Sequence, residues 1–245
     1  DLLPLVVTLS VKHADNIVAL NALVLLSDMQ YVLPSKSEQH LDQLFNSLKP
    51  CCSPLLRYTS MALIGDLFLH KIIKNENGLS KLIEHVADNE HLLLEAQLLL
   101  QRILFNDSKR APQLLYNMII SCSDCSHCAH YDVICDTLSQ MVETVCQSIG
   151  RVNVKEMSRF IVRCFIDKPS ILSATCLTKL DPSAVELTSI EHLKTFIDLN
   201  SFDLFNQMKK EATEADDSDH SKALYQLMMS FLRKLKAQST YAILS

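Results

Sequence analysis

The stretch from Ser53 to Leu67, SPLLRYTSMALIGDL, constrains the fold of this chain more than any other part of the sequence. Ser53 can cap a helix, and Pro54 suits a first helical turn, where a missing amide hydrogen costs no helical hydrogen bond. Small residues that would let a neighbouring helix approach lie among apolar residues that would fill the seam: Ser60, Ala62 and Gly65 are small, and Leu56, Leu63, Ile64 and Leu67 are apolar. One such helix cannot bury its own apolar side, so the sequence predicts neighbours of the same type.

A similar pattern recurs on both sides of this stretch. The matching positions are Asp28, Asp66 and Arg102, which are 38 and 36 residues apart. With that alignment, one position holds Ala22, Ser60 and Ala96. A period of about 40 residues with two helices per unit is typical of HEAT and armadillo repeats. We therefore predict a HEAT/armadillo-like α-solenoid of stacked antiparallel helix pairs, in preference to three unrelated leucine-rich helices.

The composition favours an all-α chain. Of 245 residues, 48% are hydrophobic, which is enough for a large core, and alternating β-branched runs bounded by turns are missing. The sequence begins at Asp1 and not at methionine, so we expect a fragment of a longer polypeptide. We predict one solenoid over residues 1–245, with clearer repeats in 1–125 and irregular helices in 126–245. The predicted helices are 3–12, 15–30, 37–49, 53–74, 78–88, 90–106, 110–121, 130–149, 153–166, 169–179, 188–199, 201–213 and 219–238.

Composition also limits the compartment. No apolar run reaches the roughly 18 residues that a membrane-spanning helix needs. Nine cysteines in a large helical chain predict reduced thiols, with Cys146, Cys164 and Cys176 in the core, because disulfide frameworks belong to small secreted domains. We therefore expect the cytosol or the nucleus. A net charge of -5 is unlike that of a domain whose whole surface binds nucleic acid.

A segment rich in cysteine and histidine is the main candidate for chemistry. Cys122, Cys125, Cys128 and His130 have a spacing that suits ligands of one zinc ion. No second CxxC pair follows, so a polar inter-helix loop that contains cysteine is the favoured interpretation. A thiol nucleophile built from Cys128, His130 and Asp132 is a weaker alternative, because local spacing is not evidence of catalytic geometry. Phosphate-binding glycine loops and the HExxH and GxSxG motifs are missing, so we predict no enzyme and no cofactor.

Basic residues cluster modestly at helix ends. Lys71 and Lys74 end one predicted helix, Lys109 and Arg110 begin another about one repeat later, and Lys81 lies between them. Corresponding helix ends line one edge of a solenoid, so these side chains could face the phosphates of double-stranded DNA. Ordinary solubilising charge is the favoured interpretation, since lysine at a helix C-terminus is stabilised by the helix dipole.

The C-terminal part combines a polar segment with an amphipathic one. Residues 211–221, EATEADDSDHS, predict a solvated acidic loop, with an acidic partner-binding tail as the alternative. The following predicted helix places apolar residues at three- and four-residue steps from Leu224 to Leu235. We expect this stripe to dock on the preceding helices, and docking on another chain is the alternative.

Four features occur together between Ser53 and Asp124: an early arginine, a lysine after a leucine-rich segment, a Tyr-Asn pair and a Ser-Asp pair. These residues are Arg57, Lys74, Tyr116, Asn117, Ser123 and Asp124. In them the stretch resembles the C-terminal HEAT region of the family of condensin complex subunit 1, the D-type non-SMC regulatory subunit. Glu76 and Asn77 stand where that family has a basic residue and glycine, so the chain looks like a divergent member.

The resemblance implies a non-catalytic scaffold of mitotic chromosome condensation. Subunits of this family bind the kleisin and the SMC ATPase subunits and contact DNA, so the chain would contribute surfaces while its partners hydrolyse ATP. The implied location is the nucleus and the chromosome, with the cytoplasm for part of the cell cycle. The repeat pattern alone leaves another HEAT adaptor open, such as a nuclear transport receptor or a signalling scaffold, because fold does not determine function.

Overall fold

The computed structural model describes residues 17–19, 21–22, 24–25, 28, 44–69, 78–125, 130–148, 153–214 and 229–235. All regular secondary structure within these residues is helical, which confirms the predicted all-α class. The chain divides into two compact units, Asp1–Asn106 and Asp107–Ser245. The predicted change from clearer to irregular repeats at residue 125 stays a prediction.

The structure gives bounds for three helices of the first unit: α1 (Pro54–Leu69), α2 (Gly78–Val86) and α3 (Glu90–Asn106). Both α1 and α2 pack against α3. The core between them consists of aliphatic side chains without exposed surface: Ile64, Leu67, Leu82, Ile83, Leu100 and Leu104. The predicted start of α1 is confirmed, because Pro54 is its first residue and the Ser53 hydroxyl accepts a hydrogen bond from the Leu56 amide at 3.4 Å.

One buried arginine ties this unit together. Arg57 on α1 is 3% exposed, and its Nε donates to the carbonyl oxygen of Leu48 at 2.7 Å. Its Nη2 donates to the carbonyl oxygen of His85 at 2.9 Å, and its Nη1 donates to the Asp88 carboxylate at 3.0 Å. The guanidinium therefore joins the segment before α1 to the end of α2, and its fork of donors suits several acceptors held in one plane.

The structure gives bounds for five helices of the second unit: α4 (Ala111–Cys122), α5 (Tyr131–Gln147), α6 (Val154–Asp167), α7 (Ile171–Thr178) and α8 (Leu187–Glu214). Residues 229–235 are also helical. Short 3-10 turns lie at Ser123–Cys125 and Pro182–Ala184. α4 packs against α6, α7 packs against α5 and α6, and α8 packs against α6. Two helix starts are fixed by side-chain caps. The Asn153 side chain accepts from the Glu156 amide, and Ser170 forms a reciprocal capping box with Ser173.

Two predictions about α8 are wrong. The predicted helices 188–199 and 201–213 form one helix, Leu187–Glu214. Asn200 does not end the first of them, since its Nδ2 donates to the carbonyl oxygen of Phe196 at 2.8 Å and so bonds within the helix. Neither proline nor glycine lies near the predicted break. Residues 211–214 belong to α8 and not to an acidic loop, and residues 215–221 lie outside the described residues.

The predicted burial of three cysteines is confirmed for two of them. Cys164 and Cys176 are fully buried as predicted, whereas Cys146 is only partly buried. Burial raises the pKa of the Cys146 thiol to about 11, with a smaller effect from Asp181. In the last predicted helix, Phe231 and Leu235 are buried, while its residues before 229 lie outside the described residues. The predicted helix 3–12, half of 15–30 and most of 37–49 also lie outside them.

Candidate protein-interaction surface

Helices α1 and α3 approach closely at Gly65. A Cβ atom placed on Gly65 would lie 2.5 Å from both Cδ atoms of Leu99, well inside normal contact distance. Ser60, one turn earlier, is fully buried, and its hydroxyl donates to the carbonyl oxygen of Leu56 at 2.8 Å. The predicted role of Gly65 in a close helix contact is therefore confirmed, and for Ser60 burial is shown. The prediction for Ala62 is wrong, because this residue is exposed.

Residues at matching positions of the predicted repeats share the same burial. The small residues Ala22, Ser60 and Ala96 are 6%, 0% and 0% exposed. The matching charged residues Asp28, Asp66 and Arg102 are all exposed. An offset of 36 to 38 residues thus relates three helical positions that face the interior and three that face solvent. This agreement is what a repeat of one supersecondary unit would produce.

A row of apolar side chains lies on the solvent side of α1 and α3. Leu55 and Tyr58 on α1 are 57% and 49% exposed, and Leu94 and Leu98 on α3 are 55% and 48% exposed. We call these four residues, together with Ala62, the α1/α3 surface. Tyr58, Ala62 and Leu98 line a groove of about 480 Å³ between the two helices. Single exposed apolar side chains are common on protein surfaces, whereas large contiguous apolar patches are typical of interaction sites.

Charged side chains border the same groove. Asp66 on α1 and Glu95 and Arg102 on α3 line it and are exposed. The arrangement of an apolar centre with a polar rim is the anatomy of a protein–protein interface. The rim carries both signs of charge, so it does not form the uniformly positive surface that binds nucleic acid through phosphate contacts. The groove therefore combines apolar contact area with exposed charged groups of both signs.

The residues predicted to contact DNA are only partly described. Lys71 and Lys74 lie outside the described residues. Lys109 and Arg110 are exposed in the second unit, where Arg110 Nη1 lies 3.8 Å from the Asp107 carboxylate. In the first unit, Lys81 Nζ lies 5.6 Å from the centre of the Phe45 ring. The predicted basic stripe stays a prediction.

Only two of the four zinc candidates, Cys122 and His130, have described side chains, so the zinc site stays a prediction. Cys122 is fully buried in α4, while His130 is exposed just before α5. The side chain of Cys125 and all of Cys128 lie outside the described residues. Among side chains that the structure describes, no group of three or more histidine, cysteine, aspartate or glutamate residues could hold a metal ion. Asp132, from the alternative thiol site, is exposed on the first turn of α5.

The tyrosine that supports the family resemblance joins α4 to α6. The Tyr116 hydroxyl donates to Asp167 Oδ2 at 2.7 Å, and the Arg163 guanidinium lies 5.6 Å from the centre of its ring. Phe160 packs against the ring edge-on at 5.9 Å. Burial and the hydrogen bond to Asp167 raise the pKa of Tyr116 to about 12. The phenol therefore stays protonated and acts as a structural donor.

The Ser-Asp pair of the resemblance joins α4 to the segment before α7. The Ser123 hydroxyl donates to the carbonyl oxygen of Ile119 at 2.7 Å and accepts a hydrogen bond from the Ser170 hydroxyl at 3.0 Å. Asp124 forms an ion pair with Lys168. Arg57, Tyr116 and this pair thus all have structural contacts within one unit or the other.

Comparison with known proteins gives no relative: no family model, curated protein or solved structure matches the chain. The condensin resemblance therefore rests on the residues quoted above. Separately, no helix in the described ranges has the length and apolar character needed to cross a membrane.

Proposed function

We propose that this chain is a HEAT-repeat scaffold of condensin type, which binds a kleisin and SMC ATPase subunits without catalysing a reaction itself. The observation that carries the proposal is the contact between Gly65 and Leu99, where α1 and α3 pack closely. The aligned positions of these two helices are 36 residues apart in the sequence, and their matching small residues Ser60 and Ala96 are buried. Close packing of equivalent helices at a constant offset supports a solenoid.

The α1/α3 surface is the place where we expect a protein partner. It combines exposed leucine and tyrosine side chains with a charged rim, and tyrosine is enriched among residues that dominate binding energy. It also lies inside the stretch that resembles the condensin subunits. A role in mitotic chromosome condensation in the nucleus follows from that resemblance, with Lys71, Lys74, Lys109 and Arg110 as the proposed DNA contacts.

A different HEAT adaptor is the competing proposal, because the same surface would serve a nuclear transport receptor or a signalling scaffold. Helical repeats present long binding faces whatever the partner. The absence of tryptophan from the chain counts against a receptor of the importin kind, in which arrays of tryptophan and asparagine bind the cargo. The identity of the partners separates the two proposals.

The test is affinity purification of the protein that contains this chain from dividing cells, followed by mass spectrometry. We expect two SMC ATPases and a kleisin with the wild type. Leu98→Asp with Tyr58→Asp should reduce their recovery, since both side chains are exposed and their replacement leaves the core intact. Glu191→Lys, which changes an exposed residue of α8, is the matched control and should keep the partners. Recovery of cargo or signalling proteins in their place would support the adaptor and refute the condensin proposal.

A further inference from the structure

A second groove lies in the second unit, between α6 and α8. It has a volume of about 520 Å³. Its α6 side is formed by Arg159, Val162, Arg163 and Ile166, and its α8 side includes Phe196 and Leu199. The four α6 residues follow the spacing of one helical face, so the groove runs along the helix for about 10 Å.

The α8 side of this groove presents apolar side chains, one of which packs against the core. Leu199 is 77% exposed, the highest exposure among the large apolar residues described. The ring of Phe196 packs edge-on against Phe165 at 6.0 Å, and Phe165 is fully buried. An exposed leucine beside an aromatic ring with a fixed orientation offers a preformed site for apolar side chains of a partner.

The charged side chains that line this groove are basic, and each arginine is paired with a carboxylate that is not part of the lining. Its lining contains two arginines and no carboxylate, whereas the chain as a whole has a net charge of -5. Arg159 donates from Nη2 to Glu186 at 2.8 Å, and Arg163 donates from Nε to Asp167 at 3.1 Å. Each guanidinium has five N–H donors and remains more than half exposed, so donors are left for a further acceptor.

A third cation extends the basic row. Lys155 is exposed four residues before Arg159, and Arg163 follows four residues later, so the three share one face of α6. A partner helix that lies in the groove would place its apolar face on Phe196 and Leu199 and its flank beside this row.

We propose that the α6/α8 groove binds a short amphipathic helix of a partner protein, with apolar residues on one face and glutamate or aspartate residues flanking it. Arg159 and Arg163 select the acidic flank, and Leu199 receives the apolar face. This site lies in the other unit from the α1/α3 surface, so it stands or falls independently of the condensin proposal.

The test uses two synthetic helical peptides of about 15 residues that share the same leucine face and differ only in their flanks, glutamate in one and lysine in the other. Binding of each to the full chain is measured by fluorescence anisotropy. We expect the glutamate peptide to bind about tenfold more tightly than the lysine peptide at low salt, with the difference shrinking as salt increases.

Variants locate the site. Arg159→Glu with Arg163→Glu should reverse the preference, and Arg159→Gln with Arg163→Gln should abolish it. If the variant with two glutamates does not fold, the variant with two glutamines serves as the test. Leu199→Ser should weaken the binding of both peptides. Arg233→Glu changes an exposed residue of the second unit outside the groove and alters the net charge by as much as the glutamine pair does, so it should leave the preference intact. Equal binding of the two peptides to the wild type, or an unchanged preference in the glutamine pair, would overturn the proposal. So would tighter binding of a DNA duplex that the same substitutions remove, since that would make the groove a nucleic-acid site.

Discussion

Arg57 and Asp88, 31 residues apart in the sequence, form a two-point ion pair in which the Arg57 side chain is only 4% exposed. The same guanidinium also bonds the carbonyl oxygens of Leu48 and His85. Arg57 therefore acts as the centre of a polar network, and its position near the start of α1 decides how the segments around that helix are held.

Loss of Arg57 should destabilise the chain strongly. Arg57→Leu leaves one carboxylate and two carbonyl groups without their donor, and we expect a loss of about 3 kcal/mol in the free energy of unfolding. Asp88→Asn should cost less, about 2 kcal/mol, because the amide oxygen can still accept from the guanidinium, although that buried cation loses its counter-charge. Urea unfolding measures both. Arg110→Leu, at a side chain that is 53% exposed, is the control and should change stability by less than about 0.5 kcal/mol. Equal effects of Arg57→Leu and Arg110→Leu would contradict this role.

The helix contact at Gly65 should tolerate a methyl group but not a larger side chain. Gly65→Leu forces a branched side chain into space that Leu99 occupies, and we expect a loss of about 2 kcal/mol. Gly65→Ala should be close to neutral, because the Leu99 side chain can rotate and alanine gains about 1 kcal/mol of helix propensity over glycine.

The dependence on Leu99 can be measured directly. In a double-mutant cycle followed by urea unfolding, Leu99→Ala should recover part of the stability that Gly65→Leu loses, since it frees the contested space. If Gly65→Leu costs the same with and without Leu99, the close contact between α1 and α3 is not the cause of the loss.

His85 should make the stability of the chain depend on pH. Burial lowers the pKa of His85 below its ordinary value of 6.5, and the nearby charges of Lys49, Lys81 and Arg57 lower it further. The unfolded chain therefore binds this proton more readily than the folded chain, so stability is complete above pH 6.5 and declines as the pH falls towards the folded pKa. The free energy of unfolding, measured across this range, should vary less in His85→Gln than in the wild type. His91→Gln, an exposed histidine of the same unit, is the matched control. A wild-type slope in His85→Gln would refute this assignment.

Tyr116 should titrate later than an ordinary tyrosine. Its folded pKa is about 12 against a usual value of 10.0, so the folded state holds the phenolic proton more tightly than the unfolded state. The stabilisation is complete below pH 10 and disappears as the pH rises towards 12. Tyr116→Phe removes the hydrogen bond to Asp167 and should lower stability by about 1 kcal/mol at neutral pH. The ultraviolet titration of the wild type minus that of Tyr116→Phe should show a midpoint near 12, and a midpoint at 10 would contradict the environment described here.

Local signals in the sequence determined many helix ends correctly. The predicted helix 90–106 coincides with α3, and the Ser53-Pro54 start of α1 is confirmed, because caps and first-turn proline act within a few residues. The predicted break between 199 and 201 is wrong because no proline or glycine lies near it and Asn200 bonds within the helix. Ala62 was misplaced because a small side chain carries little information about which side of a helix faces the core.

The sequence pattern does not predict which residues far apart in the chain contact each other. Nothing near Arg57 indicates that it would reach Asp88, although its early position in α1 was noted as part of the family resemblance. The sequence pattern assigns no role to Arg159 and Arg163. The spacing of Lys155, Arg159 and Arg163 could have marked a basic face of α6, but the apolar groove beside that face depends on how α8 packs.

We propose that the α1/α3 surface binds a condensin partner, and site-specific photocrosslinking in dividing cells tests this proposal most directly. The photoreactive residue p-benzoylphenylalanine replaces Leu98, which is 48% exposed, and in a control it replaces the exposed Glu191 of α8. The account predicts that position 98 crosslinks to a kleisin or an SMC subunit and that position 191 does not. Crosslinks from position 98 to transport cargo or signalling proteins, or none to a kleisin or an SMC subunit, would contradict it.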